Sequence, residues 1–299
     1  MDFTIANTLD DALAAVATGA RPVAGGSDLV VGARQGKTPL PDAVVAIDRI
    51  AALGGIDATA GGVRVGSLVT HARLEIDPTI VGAYTGLADA SALVGSPSTR
   101  NVGTIGGNVM NASPAMDTGA PLVVLGAEVE LQSTSASRRV AVGDLWIAPG
   151  RTSAQPGELC VAVHLPSRPA MSGSAYVRLE YRRAMEIAVV GAAASVQLDP
   201  NGALIALSVA LTAVAPTIIA VGGTEALLGR SIDAALLAEV AELASRQAAP
   251  ISDLRASDTY RRHCVGVMAR RAVDAATRRA RGESIAVPVN RSLGIGAAS

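Results

Sequence analysis

Apolar positions recur along the chain with two different periods, and polar breaks divide it into elements. Ala12, Leu13 and Val16 share one face of a helical repeat after Thr8 and Asp11, a capping-box start, and Gly19 supplies the stop. Short apolar runs predict strands at Pro22–Ala24 and Ala43–Ile47, the second closed by Asp48. Gly54 to Gly62 reads as a turn-rich stretch, with Val63, Val65 and Leu68 as strand positions after it. Thr70 to Asp89 reads as mostly helical, with a break at Pro78. Gly95 to Pro121 is rich in Gly, Ser, Asn and Pro and nearly free of charge. It predicts a functional loop, because long structureless loops are uncommon. Strands are predicted again at Glu128–Gln132 and Leu159–Leu165.

A linker is predicted at Ser167–Ser174, which holds Pro, Ser and Gly. Beyond it, Tyr176–Tyr181, Ala188–Leu198 and Leu204–Ala213 read as strands, and Ser231–Arg246 and Asp258–Arg279 as helices. Runs of strands with appended helices, rather than strict alternation, point to an α+β fold. The expected division is a first domain over 1–170, with parts at about 1–55 and 56–170, a second over 171–285, and a tail over 286–299. Ala203 to Gly222 carries no charge and is long enough to span a bilayer. Ser208, Thr212, Pro216 and Thr217 interrupt it, so two strands around a turn at Ala215–Pro216 are expected instead.

Composition narrows the function. The chain has 299 residues, 49% hydrophobic and 17% charged, enough for a sizeable core of Ala, Val, Leu and Ile. Aromatics are only 2% (Phe3, Tyr84, Trp146, Tyr176, Tyr181 and Tyr260), too few for rows of base-stacking platforms. The net charge of −1 gives no basic field for nucleic acid or an acidic membrane, and neither partner is expected. Cys160 and Cys264 are too few and too far apart for a metal or iron–sulfur ligand set. The opening MDFTIANTLDD has neither a basic nor an apolar leader region, so no signal peptide is expected.

Two glycine pairs carry the candidate chemistry. In Val23-Ala24-Gly25-Gly26-Ser27-Asp28-Leu29, two glycines after a strand let backbone approach a ligand and turn N–H groups toward an anion, and Ser27 adds a hydroxyl. A plain tight turn would have the same look; neither the dinucleotide fingerprint nor the P-loop spacing is present. The second pair lies in Arg100-Asn101-Val102-Gly103-Thr104-Ile105-Gly106-Gly107-Asn108, which continues through Asn111 to Asp117. Two such loops together suggest a split backbone cradle for a pyrophosphate, with Asp28 and Asp117 suited to sugar hydroxyls or to bracing the loops.

These segments carry a resemblance. AGGSDL, TRNVGTIGGNVMNASPAMD, RRAMEIAVVGAA and ISDLRASDTYRRHCVGVMARRAV are similar to the FAD-binding medium subunits of bacterial molybdenum hydroxylases, the carbon monoxide and xanthine dehydrogenase family, almost end to end. The resemblance implies a two-part FAD domain of the vanillyl-alcohol-oxidase (PCMH) type followed by a smaller α+β C-terminal domain. It implies FAD in this chain, [2Fe-2S] clusters on a small partner subunit and a molybdenum cofactor on a large one. A cytoplasmic dimer of heterotrimers that hands electrons to an external acceptor is expected. It places Arg21, Val23, Ala24, Gly25, Gly26, Ser27, Asp28 and Leu29 along the cofactor, with Val94, Thr99, Gly103, Thr104, Gly106 and Gly107 completing the cradle. Asn108, Asn111 and Asp117 match polar cofactor-binding positions, and Leu159 and Cys160 match apolar ones. Ile187 falls against the flavin ring, and Arg178 stands where many members have Lys, with a different donor geometry.

Other titratable groups offer alternatives. Cys160 has an apolar setting that suits an inert thiol rather than a redox one. His71 reads as a solvated or helix-start residue rather than a base, and Glu180 and Glu186 form no evident acid/base pair. Arg261-Arg262-His263 suits either a partner contact or a solvated helix face. No catalytic side chain and no metal ligand is expected in this chain. Beside the electron-transfer subunit stand two other classes: a free-standing FAD-dependent oxidoreductase with its own organic substrate, and a nucleotide-binding module without redox work.

Overall fold

The computed structural model describes residues 2–36 and 39–295, so the last positions of the expected tail lie outside the described residues. Strand β1 (Asp2–Ile5) leads into α1 (Leu9–Ala17), whose capping box is formed as expected: Thr8 Oγ1 accepts from the Asp11 N–H, and Asp11 accepts from the Thr8 N–H. Ala12, Leu13 and Val16 are its buried stripe. β2 (Arg21–Val23), α2 (Ser27–Arg34) and β3 (Ala43–Ala46) follow. The three strands form a parallel sheet in the order β1-β3-β2, with α1 over it.

A second layer begins at β4 (Ile56–Thr59) and β5 (Gly62–Gly66). The stretch read as turn-rich holds a strand, because Ile56 and Ala58 pair with β5 in antiparallel register. α3 (His71–Leu74), α4 (Pro78–Ala83) and α5 (Thr85–Leu93) follow, with Pro78 in the first turn of α4, where its missing N–H costs nothing. The expected long loop from Gly95 is largely helical instead: α6 (Pro97–Val102), α7 (Ile105–Asn111) and α8 (Gly119–Val124). Its small polar residues act as caps: Ser96 accepts from the Thr99 N–H and Thr104 from the Gly107 N–H. Next come β6 (Glu128–Gln132), β7 (Ser137–Ala141), α9 (Val142–Leu145), β8 (Trp146–Ala148), β9 (Arg151–Thr152) and β10 (Leu159–Pro166). The antiparallel sheet has the order β4-β5-β10-β6-β7. β10 is central and buried on both faces, so it reads as one apolar run.

β11 (Ser172–Leu179) starts inside the expected linker, because Ser172 to Ser174 pair with Gln197 to Ser195. With β12 (Val190–Leu198), β13 (Leu204–Thr212) and β14 (Ile219–Ala220) it makes an antiparallel sheet. The uncharged stretch from Ala203 is thus two strands, and no helix among the described residues is long and apolar enough to cross a membrane. α11 (Asp258–Ala280) covers this sheet, α10 (Ala234–Gln247) packs against α11, and α12 (Val289–Ser292) closes the described chain. Small side chains set the spacing there. Gly173 lies so close to α11 that a Cβ would meet the Ala276 carbonyl at 2.2 Å, and Gly266 approaches the Ala241 carbonyl of α10 in the same way.

Candidate flavin site

The two glycine pairs, far apart in sequence, meet in space. Gly25 follows β2, and Gly26 is the N-cap of α2 with a φ of 66°. A Cβ on Gly25 would lie 1.8 Å from the Val102 carbonyl oxygen at the end of α6. No side chain larger than hydrogen lets the loops touch there. No side chain caps α2, so the N–H groups of Ser27, Asp28 and Leu29 in its first turn remain available, at the end of the helix that favours negative charge. Arg21 and Val23 lie on β2, which feeds this turn.

In the second loop most amides already have acceptors within the chain. The Gly103 N–H goes to Thr99, Ile105 to Val69, Gly106 to Ser67, and Gly107 to Thr104 Oγ1. Its glycines serve close packing: a Cβ on Gly106 would meet Ser67 Cβ at 2.5 Å. Four amides of the second loop are thus engaged within the chain, whereas those in the first turn of α2 are open. Asn108 accepts the Thr118 hydroxyl proton at 2.5 Å, and Asn111 ends α7. Val94 caps α5 and accepts from Arg100 Nη1 at 3.2 Å, while Thr99 on α6 reaches the Met185 sulfur at 3.5 Å.

A buried charge network closes the far end. Arg178, wholly buried on β11, donates from Nη1 to Asp117 at 2.7 Å and from Nε to Glu180 at 2.8 Å. Tyr176 donates its hydroxyl to the other Asp117 oxygen at 2.8 Å. Burial opposes the charge on Arg178, but Asp117, Tyr176 and Glu180 outweigh it and raise its pKa. Burial, and then Asp117, push the Tyr176 hydroxyl well above its ordinary value, so it stays a donor. Glu180 is thus no isolated carboxylate: it is an ion-pair partner. Arg178 also reaches the Glu186 carbonyl at 3.4 Å, which brings the segment carrying Ile187 beside Asp117. Ile187 is 47% exposed and lines a cavity of about 360 Å³ with Pro114, Ala115, Pro149, Ala213 and Ile251.

Leu159 and Cys160 are both buried and project from opposite faces of β10 into two different apolar clusters. Burial, and then Glu130, push the Cys160 thiol up to about 12, which fits an inert residue. Arg261 is neither a solvated face nor a free contact: it is buried and donates to the carbonyls of Val189 and Ala213 and to Asp253. His71 does open a helix, but it is buried rather than solvated.

Residues 1–168 match the family described as the FAD binding domain in molybdopterin dehydrogenase, and residues 175–276 match the CO dehydrogenase flavoprotein C-terminal domain. The chain belongs to this flavoprotein family. It is 34% identical over 263 residues to the carbon monoxide dehydrogenase medium chain of Afipia carboxidovorans, covering 88% of this chain and 90% of that one. It is 31% identical over 283 residues to the xanthine dehydrogenase FAD-binding subunit of Escherichia coli O157:H7, covering 93% and 96%. Among solved structures, reconstituted CO dehydrogenase from Oligotropha carboxidovorans superposes with a TM-score of 0.88 at 31% identity, over 93% of this chain and 98% of that one. The family is one of dehydrogenase subunits that bind FAD, and the available amides at the start of α2 fit the diphosphate of that cofactor.

Proposed function

We propose that this flavoprotein is the electron-transfer subunit of a multi-subunit, cytoplasmic molybdenum hydroxylase. Electrons arrive from iron–sulfur clusters on a small partner subunit, after a substrate has been oxidised at a molybdenum cofactor on a large one, and leave to an external acceptor. The complex is a dimer of heterotrimers. The observation that supports this reading is the meeting of Gly25 with the Val102–Gly103 turn, which brings two distant glycine loops together. The chain divides near residue 170 into the FAD domain and the C-terminal domain, a division supported by the change from the five-stranded to the four-stranded sheet.

Bound FAD would supply the ability to take electrons singly and to give up a pair. The chain's residues bind and orient it. Ser27, Asp28 and Leu29 would offer amides to the diphosphate, and Asp117, held by Tyr176 and Arg178, would brace the segment beyond the second loop. Arg178 orders the Glu186–Ile187 backbone rather than reaching outward. His164 Nε2 lies 2.7 Å from Glu130 on the five-stranded sheet, and His71 is buried beside the second loop, so we read the chain's work as binding and orientation rather than proton transfer.

The full chain should purify with a flavin absorbance spectrum. Expressed with the products of neighbouring reading frames, it should co-purify with an iron–sulfur and a molybdenum subunit. A flavin-loaded chain that oxidises a small organic substrate alone, with no partner, would instead support a free-standing oxidoreductase.

A further inference from the structure

His71 stands outside the residues matched to the cofactor, yet its backbone is fixed to the second glycine loop. Its N–H donates to the Gly103 carbonyl at 3.0 Å, and Thr70 bridges Thr104 in antiparallel register. The side chain is 1% exposed. Its Nδ1 is sealed in the protein with no hydrogen-bond partner, whereas Nε2 is not sealed. The Cδ2–Nε2 edge lies at the junction of the loops. The point where a Cβ on Gly103 would stand is 3.4 Å from His71 Cδ2 and 3.8 Å from Ser27 Oγ. The imidazole edge and the Ser27 hydroxyl therefore flank the same glycine.

Burial, and then the charge of Arg100, lower the His71 pKa to about 4, so the ring is neutral and carries one proton. A buried N–H without a partner is rarer and costlier than a buried lone pair without one. That preference assigns the proton to Nε2 and leaves Nδ1 as the bare nitrogen. The amides of Gly103, Ile105, Gly106 and Gly107 are already committed to Thr99, Val69, Ser67 and Thr104. An anion seated against the first turn of α2 would find few backbone donors on this side, and one side-chain donor is in place.

We propose that His71 Nε2 donates a hydrogen bond to the diphosphate held between the two glycine loops. The proposal rests on the FAD reading above and deepens it. A neutral imidazole is a directional donor that brings no buried charge, so the site needs no lysine at this point.

The test uses the full chain, stripped of flavin and titrated with FAD. His71→Ala should bind FAD roughly 10- to 100-fold more weakly, the range for a hydrogen bond to a charged group. His71→Gln, whose amide nitrogen can reach the Nε2 position, should keep most of the affinity. With only three histidines in the chain, ring nitrogens can be followed by long-range proton–nitrogen NMR on the wild type. The His71 Nε2 signal should shift with FAD and stay in place with riboflavin, which has no phosphate. FAD binding with an unmoved Nε2 signal, or wild-type affinity in His71→Ala, overturns the role of His71 alone. A wild type that binds no FAD overturns both this role and the flavin reading. The wild-type NMR measurement decides the matter even if His71→Ala fails to fold.

Discussion

At the scale of single residues, burial sets the chemistry. His71 accepts a proton only near pH 4 in the folded chain, against an ordinary value of 6.5. Between those values the unfolded chain binds more protons, so folding stability rises with pH there and falls on acidification. The loss sets in below about pH 6.5 and approaches about 3 kcal/mol toward pH 4. Chemical denaturation at stepped pH should show this slope in the wild type and a shallower one in His71→Gln. Arg100, whose charge disfavours protonation of the ring, is itself paired with Glu75 at 3.0 Å. A histidine between Thr70 and Ala72 gives no hint of this in sequence, because its backbone partner Gly103 lies more than thirty residues on.

At the scale of elements, neighbouring glycines do different work. Gly25→Ala would drive a methyl group into the Val102 carbonyl and force the loops apart. Gly26→Ala meets nothing nearer than Val23 Cγ1 at 3.5 Å and suffers only the strain of a φ of 66°, about 1 kcal/mol. We expect Gly25→Ala to purify without flavin and Gly26→Ala to retain it, as read by absorbance after gel filtration. The Thr8–Asp11 box, the Gly-Gly pairs and β6 were legible because their signals are local. The helices α6 to α8 were not. Ser96 and Thr104 are residue types shared by loops and helix caps, and six- or seven-residue helices leave no apolar period to read. The Asp117–Arg178–Glu180 network was equally hidden, since Arg178 and Asp117 come together only when β11 packs beside α8.

At the scale of the whole molecule, one carboxylate ties the two halves. Asp89 on α5 is wholly buried. It accepts two hydrogen bonds from Arg279 on α11, one from the Tyr176 N–H and one from the Val289 N–H. Burial raises its pKa in spite of these partners, so losing Arg279 would leave it badly compensated. Arg279→Ala should cost about 3–5 kcal/mol and lower the thermal midpoint sharply. Arg278→Ala, which breaks only the exposed pair with Glu283, should leave the midpoint unchanged. No local pattern could announce a contact 190 residues apart.

The scarcity of aromatic rings has an optical consequence. Trp146 is the single tryptophan in the chain, and its indole N–H donates to the Val109 carbonyl at 2.9 Å. Val109 lies on α7, the same short helix that carries Gly106, Gly107 and Asn108. All tryptophan emission therefore originates one hydrogen bond from the helix proposed to line the flavin site. The protein carries its own fluorescent reporter, with no second indole to blur the signal when the site fills.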